Sequence, residues 1–426
     1  MNKKLLSIMS AFVLLGSSLT PAFAGTTTLE ITGNGADTQN NTNVTSTSNT
    51  VVSQTNDANI NNSVVSNSSS GGNTADKNTG GSVSVDTGDS KTVVNVQNTA
   101  NSNVADVKNC NCNSDVKVLE SGNGADSKNN AKLNLTDSTV VAQTNSSDVT
   151  NKVNASSDTG SNQASKNTGG DVKVQTGSAV TAVDLKTDAN SNWAKVGGSD
   201  PFATSGSVDL RIVGNGADTH NKIDLALDRD ILLQQHNNAD VNNWVDAKAN
   251  TGYNKADKNT GGSVSVDTGN ATSLVAADNA VNFNWANIDC DCLTDVLAKV
   301  AGNGDQAKSD IKAKLVDDKN VFQNNSCDSF GYGFFWDWNK GGCVNNNLKS
   351  DADTGNNKDK SNTGNPGVDP SISTGDAWSQ TDIKNSGNSN IFGKSDTTDS
   401  NPFEVGGVNI NISFSLQDLL NALHIS

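Results

Sequence analysis

The chain holds 426 residues, 33% of them hydrophobic and 4% aromatic, and 46 acidic residues against 30 basic ones give a formal charge of −16. That composition is thin for one large apolar core, while the length would ordinarily divide among about three domains. The acid excess argues against nucleic acid, whose phosphates need clustered Lys and Arg, and against adsorption on an anionic membrane.

The first element is a leader. Lys3 and Lys4 precede an apolar run from Leu5 to Leu19, and Pro21 is followed by Ala22-Phe23-Ala24 before Gly25. This order of basic, apolar and small residues is that of a secretory signal peptide over residues 1–24, with cleavage after Ala24. No later stretch reaches the 18 or so apolar residues of a membrane helix. The expected product is secreted, extracellular or held on a cell surface, with no membrane insertion after cleavage.

The remainder is a repeat. Gly33-Asn34-Gly35-Ala36-Asp37 returns at Gly122–Asp126 and Gly214–Asp218, and in altered form as Gly302-Asn303-Gly304-Asp305. Asn78-Thr79-Gly80-Gly81 returns at Asn167–Gly170, Asn259–Gly262 and Asn362–Gly364. Asn101-Ser102-Asn103-Val104-Ala105 returns from Asn190, Asn282 and Asn388. Three markers in one order predict four units of about 90 residues: 25–117, 118–209, 210–298 and 299–400. A C-terminal cap at 401–426 would hold a strand over 408–414 and a short helix over 416–423.

Within a unit, Ser82-Val83-Ser84-Val85, Asp171-Val172-Lys173-Val174 and Ser263-Val264-Ser265-Val266 alternate apolar with polar, and each leads to a glycine turn. That is the signature of strand and turn. Trp193, Trp244 and Trp285 at repeat positions oppose disorder. The expected fold is all-β, a stacked β-solenoid or β-helix-like repeat. Each unit buries a thin apolar strip against its neighbours, and Asn and Thr rows bond from unit to unit. A string of small β-sandwiches is the rival.

Candidate sites follow. Asp86-Thr87-Gly88 and Asp267-Thr268-Gly269 carry the motif of an aspartic-protease dyad, but the duplication and turn chemistry explain them, and no catalytic residues are assigned. Asp37, Asp126 and Asp218 lie in a Gly-x-Gly-x-Asp pattern similar to a fragment of the calcium-binding repeat of RTX β-rolls, which makes Ca2+ a candidate ligand; otherwise no cofactor is expected. Six cysteines in an exported chain point to disulfides. Cys327 and Cys343 bracket an insertion in the fourth unit holding Phe330, Tyr332, Phe334, Phe335, Trp336 and Trp338, a candidate binding loop. Cys110, Cys112, Cys290 and Cys292 can bridge within each pair, across pairs or between molecules; Zn2+ is disfavoured by the Cys-x-Cys spacing.

Gly72-Asn73-Thr74-Ala75, Gly160-Ser161-Asn162-Gln163-Ala164 and Gly252-Tyr253-Asn254-Lys255-Ala256 resemble the core of curlin repeats, without the flanking glutamines and with spacing off by one. The Asn-Thr-Gly-Gly punctuation resembles bacterial secreted Asn/Thr/Gly-rich β-repeat surface proteins. The first resemblance implies amyloid-like surface assembly; the second implies no activity. The expected function is a non-catalytic structural protein of the cell surface or extracellular matrix, a self-assembling rod whose partners are itself and other surface components. The alternative is an adhesin or glycan-binding protein acting through residues 328–342.

Overall fold

A computed structural model describes residues 27–108, 115–198, 207–290, 295–327, 343–364, 367 and 369–393. The chain winds four times around one axis. The first turn holds β1 (Thr27–Thr32), β2 (Gln39–Ser69), β3 (Thr74–Asp76), β4 (Val83–Asp86) and β5 (Ser90–Val107). The second holds β6 (Val116–Ser121), β7 (Lys128–Asp158), β8 (Gln163–Ser165), β9 (Val172–Gln175) and β10 (Ala179–Gly197). The third holds β11 (Ser207–Val213), β12 (His220–Asn250), β13 (Lys255–Asp257), β14 (Val264–Asp267) and β15 (Ala271–Asp289). In the fourth, β16 (Asp295–Ala301) leads to a divided long strand, β17 (Lys308–Ser326) and β18 (Val344–Asp353), then β19 (Lys358–Lys360), β20 (Ser371–Ser373) and β21 (Ala377–Phe392).

Every strand pair among the described residues is parallel and joins equivalent strands of adjacent turns. Gln39, Lys128, His220 and Lys308 stand in one row, and so do Ser69, Asp158, Asn250 and Asp353, 30 positions on in the first three turns and 45 on in the fourth, which carries the insertion. Strands of one turn do not pair with each other, which excludes the string of sandwiches. The architecture is a β-solenoid with one repeat per turn.

The three markers sit where the backbone needs them. Asp37, Asp126 and Asp218 have φ of 63°, 57° and 55° in the turn that leads into the long strands. The Asn-Thr-Gly-Gly marker lies between the two short strands, with Thr79, Thr168, Thr260 and Thr363 bridged in a row. The third marker opens on a bulge. Asn101, Asn190, Asn282 and Asn388 have φ between 55° and 62° inside long strands, and Asn190 drops out of the pairing. Asn tolerates this left-handed conformation better than most residues. The bulge shifts the inward alternation by one residue, from Thr92, Val94 and Val96 before it to Asn103, Ala105 and Val107 after it.

Each turn is flattened into two layers. The long strands form one; β1, β5 and their equivalents form the other. Gln54 donates across the gap to the Val104 carbonyl at 2.9 Å, and Asn62 to Asn98 Oδ1 at 2.7 Å. Apolar strips alternate between the layers with polar ones. One strip packs Val141, Leu233, Ala194 and Val196; another packs Val153, Val245, Val183 and Leu185. Between them run fully buried Asn145, Asn151, Asn190, Asn192, Asn237, Asn243, Asn282 and Asn284. Hydrogen-bonded amides thus fill much of the interior, which reconciles a packed core with 33% hydrophobic residues.

The proportions correct the expected rod. A 31-residue strand extends about 100 Å, whereas turns stacked about 4.8 Å apart place the fourth only about 15 Å above the first. One chain is a broad slab whose stacking axis is its shortest in-sheet dimension. The proposed cap at 401–426 lies outside the described residues.

Candidate functional site

Among the described residues, those singled out by sequence do not meet in one place. Asp86 and Asp267 occupy one row with Gln175 between them, two turns and so about 10 Å apart. That is too far to share the proton of a carboxylate dyad. Asp37, Asp126 and Asp218 stack one per turn beside the Gly-Asn-Gly corner, and no group of three metal-ligating side chains occurs among the described residues. Cys327 and Cys343 form a disulfide. Ser326 pairs with Asn238 and Val344 with Val241, so the bridge pins both ends of the insertion within the divided long strand. Phe330, Tyr332, Phe334, Phe335, Trp336 and Trp338 lie outside the described residues. So do Cys110, Cys112 and Cys292, whereas Cys290 is buried and disulfide-bonded, which removes it as a zinc thiolate.

Two tryptophans do meet. Trp193 and Trp285 stack with ring centroids 4.8 Å apart, continuing a row from Val104 to Ile391. Trp244 belongs to another row, beside Lys152 and Asn347, and is exposed.

The feature that organises the molecule is a set of amide ladders. Asn56 Nδ2 donates to Asn145 Oδ1 at 3.1 Å, Asn145 to Asn237 at 3.1 Å and Asn237 to Asn325 at 3.2 Å. Asn62, Asn151, Asn243 and Asn346 follow the same order at 2.7–2.8 Å. So do the ladders rising from Asn73 to Asn357, from Asn101 to Asn388 and from Asn103 to Asn390. In each, the amide N–H of one turn donates to the amide oxygen of the next. The glutamine ladder runs the other way: Gln143 donates to Gln54, Gln235 to Gln143 and Gln323 to Gln235, each at 2.8 Å. The Asn rows are legible in the repeating sequence, but their common direction is not.

The ladders end at two open edges. Lys128 N–H donates to the Thr38 carbonyl and Ser70 N–H to the Asp158 carbonyl. Backbone groups alternate in direction along a strand, so even-numbered positions of β2 face the second turn and odd-numbered positions present N–H and C=O to the open side. β2 contains one charged residue, Asp57, and no proline. The lysines, prolines and bulges that usually protect an exposed edge are absent from it. Burial registers the missing neighbour: Val149 and Val241 are fully buried, while Ile60 in the same row is half-buried.

One buried charge interrupts the apolar rows. Glu120 stands between Ile31 and Ile212 with both carboxyl oxygens lacking a hydrogen-bond partner. Burial pushes its carboxyl above the usual range, and the hydroxyl and backbone of Thr42 on the first turn, near it but outside hydrogen-bond geometry, offset part of that.

Comparison of the chain with protein-family models, curated proteins and solved structures gave no match.

Proposed function

We propose that the protein is a secreted, non-catalytic structural component of the cell surface or extracellular matrix, and that it acts by self-assembly. One observation carries the reading. The stack begins on a long, nearly uncharged strand, β2, whose odd-numbered backbone groups have no partner strand, whereas the long strands of the two middle turns, β7 and β12, are paired on both sides. The leader of residues 1–24 supports export. The test is made on cells: intact cells and culture medium are probed with antibody to the chain, with cytosol as control. Surface or matrix labelling is expected, and retention inside the cell would overturn the reading.

A second reading rests on the Cys327–Cys343 disulfide. It fixes the aromatic insertion 328–342 to the fourth turn, as a tethered adhesive or glycan-binding loop requires. Deletion of 328–342 should abolish binding to immobilised surface glycans. Unchanged binding would dismiss it.

A further inference from the structure

We infer that the partner of each open edge is a second copy of this chain, stacked in the same orientation so that its first turn lies on the fourth turn of the copy below. The inference rests on the self-assembly reading and adds its geometry and direction.

The ladders supply the argument. The asparagine ladders leave amide oxygens at Asn56, Asn62, Asn101 and Asn103 on the first turn, and amide nitrogens at Asn325, Asn346, Asn388 and Asn390 on the fourth. An incoming first turn therefore brings acceptors to donors in each row. The opposite polarity of the glutamine ladder fits as well: Gln54 of the incoming copy faces the acceptor Gln323. Turning one copy over sets oxygen against oxygen, or nitrogen against nitrogen, in every asparagine row. The match needs only that each ladder keep one direction throughout, so exchanging the amide O and N along a whole ladder would preserve it. Same-way stacking also continues the parallel pairing of the strands, whereas the inverted arrangement would make it antiparallel.

Residues 394–426 number 33, fewer than the 19, 10 and 16 residues that β17, β18 and β21 together present on the fourth turn. A head-to-tail contact of this kind does not close on itself. It repeats into a polar filament in which each copy adds four turns, about 19 Å.

The test uses the full exported chain, residues 25–426, followed by sedimentation and electron microscopy. Wild type is expected to form filaments about 100 Å across with a meridional reflection near 4.8 Å. The double variant Val51→Pro, Val65→Pro blocks the first turn. Both residues are odd-numbered and exposed, so proline removes donors from the open edge and leaves the bonds to the second turn in place. The double variant Asn325→Asp, Asn346→Asp blocks the fourth turn by setting carboxylates against the amide oxygens of the incoming copy. Circular dichroism and melting establish that each is folded; Val51→Lys, Val65→Lys replaces the first if it is not. Each variant alone should stay monomeric, with the concentration needed for assembly raised at least about tenfold, the equivalent of 1.4 kcal/mol per contact. Mixed, they should form dimers and stop, because one intact pair of faces remains. Dimers from either variant alone would show head-to-head contact and overturn the inference. So would wild type that stays monomeric, with its edges bare or covered by 394–426; surface labelling of cells would then still stand.

Discussion

Asn190 shows how much one side chain does in this fold. It holds a left-handed backbone, donates to the Asn238 carbonyl and to Asn282, accepts from Asn101, and is fully buried. Asn190→Ala should lower stability by about 2–4 kcal/mol, from the strained φ and the unsatisfied partners. Asn190→Gly keeps the backbone conformation and loses the bonds, so denaturant melts of the two separate the contributions. Glu120 acts in the opposite sense. Its carboxyl is raised in the folded state by burial, so its protonated form folds more readily. Stability from this group is full below the unfolded carboxylate range and is lost as pH rises through the folded value. Glu120→Gln should therefore melt a few degrees higher than wild type at pH 7 and almost equally at pH 4. The sequence displayed Asn190 as the first residue of a recurring marker. Glu120 falls on the inward phase of Val116 and Val118, but an acid there reads as the end of the apolar alternation until the row fixes its neighbours as Ile31 and Ile212.

Among the elements, the strands β4, β9 and β14 and the glycine turns after them were legible as alternation followed by Asp-Thr-Gly or Gln-Thr-Gly. The 31-residue strands were not. Their inward positions mix Val and Leu with Asn, Gln and Thr, so apolar periodicity fades where buried amides take over. Stack spacing is enforced at corners where backbones meet. A methyl group on Gly160 would lie 2.1 Å from the Gly252 carbonyl oxygen, in a column that also holds Gly71 and Gly355. Gly160→Ala must therefore push the turns apart, and a loss of at least about 1–3 kcal/mol is expected by denaturant melting. At Gly33, where a Cβ would meet nothing within 4 Å, the strain comes from its φ of 74° alone.

For the whole molecule, the repeat length and all-β class could be read from three markers in constant order. The shape could not, because the markers fix how often the chain returns and not how far it travels between returns. Every described strand pair joins different turns, so an isolated turn has no sheet. A fragment of residues 115–206 should show no cooperative transition by circular dichroism, whereas the full chain should melt cooperatively. A fragment that melted like its parent would contradict the stacked origin of its order.

The amide-filled interior bears on how the protein responds to temperature. Exposing hydrocarbon raises the heat capacity of a chain, and exposing polar groups lowers it. Unfolding this molecule hydrates buried asparagines alongside valines and leucines. Calorimetry should give a heat-capacity increment per residue below the ordinary 12–15 cal/mol/K of globular proteins. The stability curve would then be shallow, so the assembly would resist cold nearly as well as warmth.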